Sequence, residues 1–117
     1  MTFYNRYGEA CCYTTNNDEI YSFRGTPLGY IYSNLIYNIE GDHLGFLEKG
    51  WIMDRSGCAV FFSDNCGNMG LVEPIKHVKP IAGVRHIFPV KHTRRVPGIK
   101  PVFKMRWSDK SSNDFFE

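Results

Sequence analysis

Histidines, cysteines and a pair of arginines are the side chains here with the means to do chemistry, and their spacing limits what chemistry that is. His77, His86 and His92 could ligate a metal, but separations of 9 and 6 residues along an extended stretch do not converge on one ion without a fold-back. Cys11 and Cys12, with His43 as a base, could form a nucleophilic set, yet no third group is visible to orient the base. There is no Cys-x-x-Cys, no His-Glu-x-x-His and no glycine-rich phosphate loop opening a helix. The expectation is no catalytic residue, no metal ligand and no cofactor. Two polar sets remain. Asn5, Ser22, Asn38 and Asp54 occupy one repeated position that fourfold repetition would arrange in a ring, although opening a turn already explains their identity. Arg6 and Arg55 occupy the next position, where Phe23 and Ile39 stand in the other copies; in a closed ring they would be neighbours and form an anion- or partner-binding patch.

The elements that must position these residues repeat. Gly8, Gly25, Gly41 and Gly57 recur at intervals of 17, 16 and 16 residues, each inside one frame. Phe3-Tyr4-Asn5, Ile20-Tyr21-Ser22, Ile36-Tyr37-Asn38 and Ile52-Met53-Asp54 precede them, and Tyr13, Tyr30, Phe46 and Phe62 follow five residues later. Self-similarity of fixed period replaces separate strands by one unit used four times. Asn, Ser or Asp three residues before Gly suits a type I turn closed by a glycine bulge, with Gly at positive φ, so each frame predicts a β-hairpin. Polar connections around Asn16-Asn17, Ser33-Asn34 and Lys49-Gly50 join the hairpins. A single hairpin is marginally stable, so the four must share a core.

With 117 residues and 43% hydrophobic content the chain suits one small domain with a limited core. The start, Met1-Thr2-Phe3-Tyr4-Asn5-Arg6, is unlike a signal peptide, and no apolar run approaches the roughly 20 residues of a membrane span. A cytoplasmic protein without a membrane partner is expected, its four cysteines reduced and used in packing.

Charge divides the chain. Residues 1–72 hold four basic and eight acidic side chains, a balance of −4, whereas residues 73–107 hold nine basic ones against Glu73, a balance of +8. The basic part has a period of three. Ile75, Val78, Ile81, Val84, Ile87, Val90, Thr93, Val96, Ile99 and Val102 are followed mostly by Lys or Arg and often preceded by Pro, His or Gly. Polyproline II has three residues per turn and accepts proline throughout, which predicts an extended ribbon. Its aliphatic row is expected to be buried on the hairpins, with Lys76, Lys79 and Arg85 directed to solvent. Ser108 reads as the N-cap of a short helical turn that returns Phe115 and Phe116 to the core.

The succession of Gly-centred hairpins, with Gly29-Tyr30-Ile31-Tyr32 and Gly50-Trp51-Ile52-Met53-Asp54, then Pro74-x-Lys76-x-x-Lys79-Pro80 and a closing Trp107-Ser108 and Phe115-Phe116-Glu117, resembles the four-fold beta flower family nearly end to end. The resemblance implies a small bacterial protein with hairpins in pseudo-fourfold arrangement, and it supplies no residue roles. The fold expected is all-β: four sequential hairpin repeats about a pseudo-fourfold axis (residues 1–72), an extended polyproline-like basic segment packed on them (73–106) and a C-terminal cap with a helical turn (107–117), as one structural domain.

Two function classes fit. One is a non-enzymatic interaction or scaffolding module for an unknown protein partner or for self-association, engaged by the ribbon's basic edge or by the turns bearing Arg6 and Arg55. The other is nucleic-acid or polyanion binding through Lys76, Lys79, Arg85, Arg94 and Arg95, disfavoured because the −4 body offers the ribbon an internal partner. An enzyme would need a cleft that sequence does not reveal.

Overall fold

A computed structural model describes residues 1–117 apart from Asn17 and His92, which carried the sequence readings of a connection and of a triplet-register histidine and lie outside the described residues. Eight antiparallel strands form a closed barrel in chain order: β1 (Thr2–Tyr4), β2 (Ala10–Tyr13), β3 (Glu19–Ser22), β4 (Pro27–Tyr32), β5 (Leu35–Asn38), β6 (His43–Glu48), β7 (Trp51–Asp54) and β8 (Ala59–Ser63). Consecutive pairs are the four hairpins of the repeat.

Each turn is built as the sequence dictates. The Gly8 amide donates to the Asn5 carbonyl at 3.0 Å and the Asn5 amide to the Glu9 carbonyl at 3.0 Å, the bonds of a type I turn with a glycine bulge. Ser22–Gly25, Asn38–Gly41 and Asp54–Gly57 repeat this, and the four glycines have φ of 81°, 90°, 87° and 95°. Ladder register slips between Phe3 and Tyr4, Ile20 and Tyr21, Ile36 and Tyr37, and Ile52 and Met53, one bulge per unit. At the opposite end, Ser33-Asn34 and Lys49-Gly50 all have positive φ, so these connections are tight two-residue turns and not mere linkers.

Alternation along the strands sends adjacent residues to opposite faces. Phe3, Ile20, Ile36 and Ile52 are fully buried and meet in one cluster with Cys12, Ile31, Val60, Phe61 and Phe115, the filled interior expected of eight strands. Their neighbours Tyr4, Tyr21, Tyr37 and Met53 line the outer wall. Each is the cross-strand partner of the aromatic closing the preceding unit: Tyr13↔Tyr21, Tyr30↔Tyr37, Phe46↔Met53 and, across the closure of the ring, Phe62↔Tyr4. The two most regular positions of the repeat are therefore the two sides of every inter-hairpin seam, and Tyr4–Phe62 and Tyr30–Tyr37 stack there at 5.3 and 5.4 Å.

The C-terminal tail plugs the turn end of the barrel. Residues 112–116 form turns, with the Asp114 amide on the Ser111 carbonyl and Phe115 edge-on to Phe61 at 5.7 Å. Ser108 does not cap this turn. Its hydroxyl donates to Asp54 and accepts from the Lys110 amide, so the carboxylate that opens the fourth turn takes the group expected at a helix start.

Candidate functional site

The ribbon encircles the barrel and is pinned once per hairpin. Amides of His77, His86, Arg95 and Lys104 donate to the carbonyls of Gly8, Gly25, Gly41 and Gly57 at 2.9 to 3.0 Å. A Cβ on any of these glycines would run into the ribbon carbonyl of Ile75, Val84, Thr93 or Val102. The pins lie nine residues apart, so three triplets of ribbon serve each unit of 16 or 17 residues. Residues 75–105 would stretch about 95 Å if straight at about 3.1 Å per residue, and closed into a circle that length is about 30 Å across. The protein measures 37 × 36 × 22 Å, which matches a ring wrapped around a disc.

The face turned inward is the one after the aliphatic row. Lys76 lies over Tyr4 at 5.8 Å, Arg85 over Tyr21 at 5.5 Å, Lys91 over Tyr30 at 5.0 Å and Arg94 over Tyr32 at 3.7 Å. Phe88 packs edge-on against Tyr21, and Phe103 packs tilted against Trp51. Carboxylates from the connections and from the end of β6 complete the row: Lys79 pairs with Asp64 and Lys91 with Asp18 at 3.3 Å, Lys100 with Glu48 at 3.0 Å; on the neighbouring face Arg95 pairs with Asp42. The expectation of a buried Ile/Val row is thus overturned, while Lys76, Lys79 and Arg85 are exposed as expected but lie along the barrel wall. Ile75, Val78, Ile81, Val84, Ile87, Val90, Val96, Ile99 and Val102 are each 86 to 96% exposed. The reason lies in what the wall offers: aromatic faces and carboxylates attract cations and rings, while the apolar interior is already sealed by the barrel's own strands.

A scan of ribbon residues to Asp checks this. Ile81→Asp and Ile87→Asp are expected to change stability by no more than about 0.5 kcal/mol, as ordinary surface substitutions do. Phe103→Asp is expected to cost more than about 2 kcal/mol by placing an unpaired charge against Trp51 and Trp107. Equal losses at all three positions in urea melts would contradict the assigned faces.

The other sequence candidates separate. Arg6 lines a cleft of about 220 Å³ beneath the tail with Tyr7, Trp107 and Lys110, whereas Arg55 lies against Phe46, Gly98 and Ile99 in another. Ring closure does make units one and four neighbours, and the two arginines line separate clefts. The side chains of Asn5, Ser22, Asn38 and Asp54 each bond amides of their own turn. At Asp54, burial pushes the carboxyl up, but hydrogen bonds from Ser108, Ser56 and the Cys58 and Ser56 amides outweigh it and hold the group below its ordinary range. Cys11 and Cys12 on β2 stand half the ring away from His43 on β6. All four cysteines are free, and burial raises Cys12 well above an ordinary thiol, the opposite of an activated nucleophile. Among the described residues, no three His, Cys, Asp or Glu side chains group as metal ligands, and no helix is long and apolar enough to cross a membrane.

A family model for the 4-fold beta flower protein matches residues 1–116. No curated protein and no solved structure matches. Four hairpins close one ring, each carrying the same glycine turn, and the chain belongs to the 4-fold beta flower protein family.

Proposed function

We infer that this protein is a non-enzymatic interaction module whose contact surface is the outward aliphatic row of the ribbon. One observation carries the reading. Nine Ile and Val side chains between residues 75 and 102 stand 86 to 96% exposed along a continuous segment, far more apolar display than single scattered surface residues provide. The basic edge supports it because its charges, though exposed, already have partners: of the nine Lys and Arg between 73 and 107, Lys76, Lys79, Arg85, Lys91, Arg94, Arg95 and Lys100 are engaged with the barrel's own rings and carboxylates. The reading places the protein in the cytoplasm, where its four free thiols persist.

Self-association is the simplest form of this function and is tested first. Light scattering over a wide concentration range is expected to show molar mass rising with concentration, and the triple variant Ile81→Asp, Ile87→Asp, Ile99→Asp is expected to remain folded and monomeric. Labelled DNA and RNA oligonucleotides serve as the second arm. Tight binding whose logarithm falls linearly with the logarithm of salt, and which is lost on replacing Lys76, Lys79, Arg94 and Arg95, would replace this reading by polyanion binding.

A further inference from the structure

One ribbon contact differs in kind from its three equivalents. The amide of Gly98 donates to Nδ1 of His43 at 3.3 Å, three ribbon residues after the pin at Arg95. Three residues after the pins at His77 and His86 stand Pro80 and Pro89, which have no amide hydrogen; two residues after the turn glycines of units one and two stand Ala10 and Pro27, which have no side-chain acceptor. In the fourth unit the same meeting point is a backbone bridge between Ala59 and Trp107. Donor and side-chain acceptor appear together at unit three alone, where a histidine replaces a small residue and a glycine replaces a proline.

His43 is only 6% exposed and sits between Tyr37 at 5.6 Å and the edge of Phe46 at 4.8 Å. Because Nδ1 accepts, the ring proton of the neutral imidazole is on Nε2, which is buried without a partner among the described residues. The charged groups around it favour neutrality. Arg55 from the turn between β7 and β8 faces it, Arg94 of the ribbon acts on the neighbouring Tyr37, and Asp42, its chain neighbour, is engaged by Arg95 and Asn38.

We propose that His43 is a proton-operated latch for the ribbon: protonation at Nδ1 turns the acceptor of the Gly98 amide into a donor, sets a second positive charge beside Arg55, and releases the ribbon between the Arg95 and Lys100 anchors. The sign is fixed by the neighbourhood. Burial, the largest influence, holds the imidazole below the ordinary histidine value; a backbone contact with Gly45 offsets it in part, and Arg55 adds a smaller push in the same direction as burial. The latch is therefore closed above about pH 6.5. It opens as pH falls from there through the folded-state value, because protons bind the released form more tightly.

The test follows the wild-type protein by NMR, recording the His43 ring shifts and the hydrogen-exchange protection of the Gly98 and Lys104 amides from pH 7.5 to 4.5. The expected result is a His43 midpoint below 6.5 with Gly98 protection falling at least tenfold over the same titration, while Lys104, bonded to the Gly57 carbonyl, keeps its protection. Gly98 protection that stays flat across the His43 titration, or a parallel loss at Lys104, would overturn the latch. His43→Gln supplies a second arm, since an amide oxygen accepts without titrating. Its Gly98 protection is expected to be independent of pH, and a retained pH-dependent loss in a folded H43Q protein would equally overturn the assignment.

Discussion

Phe115→Ala is expected to destabilise the protein by about 3 to 5 kcal/mol, the loss typical of a buried phenylalanine truncated in a packed core. A domain of this size has roughly 5 to 15 kcal/mol of total stability, so the variant should sit near the edge of folding. The four equivalent positions Phe3, Ile20, Ile36 and Ile52 fill the barrel, and Phe115, 1% exposed, is the tail's contribution to the same cluster. It contacts Phe61 edge-on and Phe116 at 5.1 Å and 86°. Removing the ring leaves a void in a frame of closed hydrogen-bonded strands that cannot collapse onto it. Phe116, half-buried and stacked on Phe61, should cost less when truncated. Urea denaturation of both variants decides: a loss below about 1 kcal/mol for Phe115→Ala would show that the tail is not the plug. Deleting 107–117 should be more severe, since it also removes the bridge from Trp107 to Ala59 and the bond from Ser108 to Asp54.

How much of this was legible in sequence depended on whether a residue's role is local. Asn5, Ser22, Asn38 and Asp54 announce their turns because the side chain bonds its own backbone, and Gly8, Gly25, Gly41 and Gly57 because positive φ favours glycine whatever surrounds it. Tyr13 and Tyr21, or Phe62 and Tyr4, were visible as recurring types, but their being partners across a seam required strand order. The ribbon's triplet period was likewise correct in register and wrong in phase. Hydrophobicity alone chose Ile75 and Val78 for the inner face, whereas the barrel's outer wall is aromatic and acidic and selects Lys76, Arg85, Phe88 and Phe103. A nine-residue superperiod, in which His77 and His86, Pro80 and Pro89, and Lys76, Arg85, Arg94 and Phe103 repeat, was present in the chain and matches the four units one to one. His43 carried no signal by itself, because its acceptor role depends on Gly98, 55 residues away.

Gly25→Ala tests whether the turn glycines serve the hairpin alone or the hairpin and the ribbon together. At φ of 90° an alanine is strained by about 1 to 2 kcal/mol. Its Cβ would also overlap the Val84 carbonyl, so the ribbon must lift and the bond from the His86 amide to the Gly25 carbonyl, 2.9 Å long, is lost at about 1 kcal/mol. The expected total is about 2 to 3 kcal/mol. His86→Pro separates the two contributions, since the extended, proline-tolerant ribbon accepts the ring and loses little besides that one donor, at about 1 kcal/mol. If alanine at 25 already breaks the pin, the double variant should be little worse than Gly25→Ala alone, a coupling of about 1 kcal/mol between residues 61 positions apart in the chain. Strict additivity in the cycle would mean that the glycine's positive φ is its whole contribution and that the ribbon is held elsewhere. The same cycle at Gly41 and Arg95 should show a larger coupling, because lifting the ribbon there also parts Arg95 from Asp42.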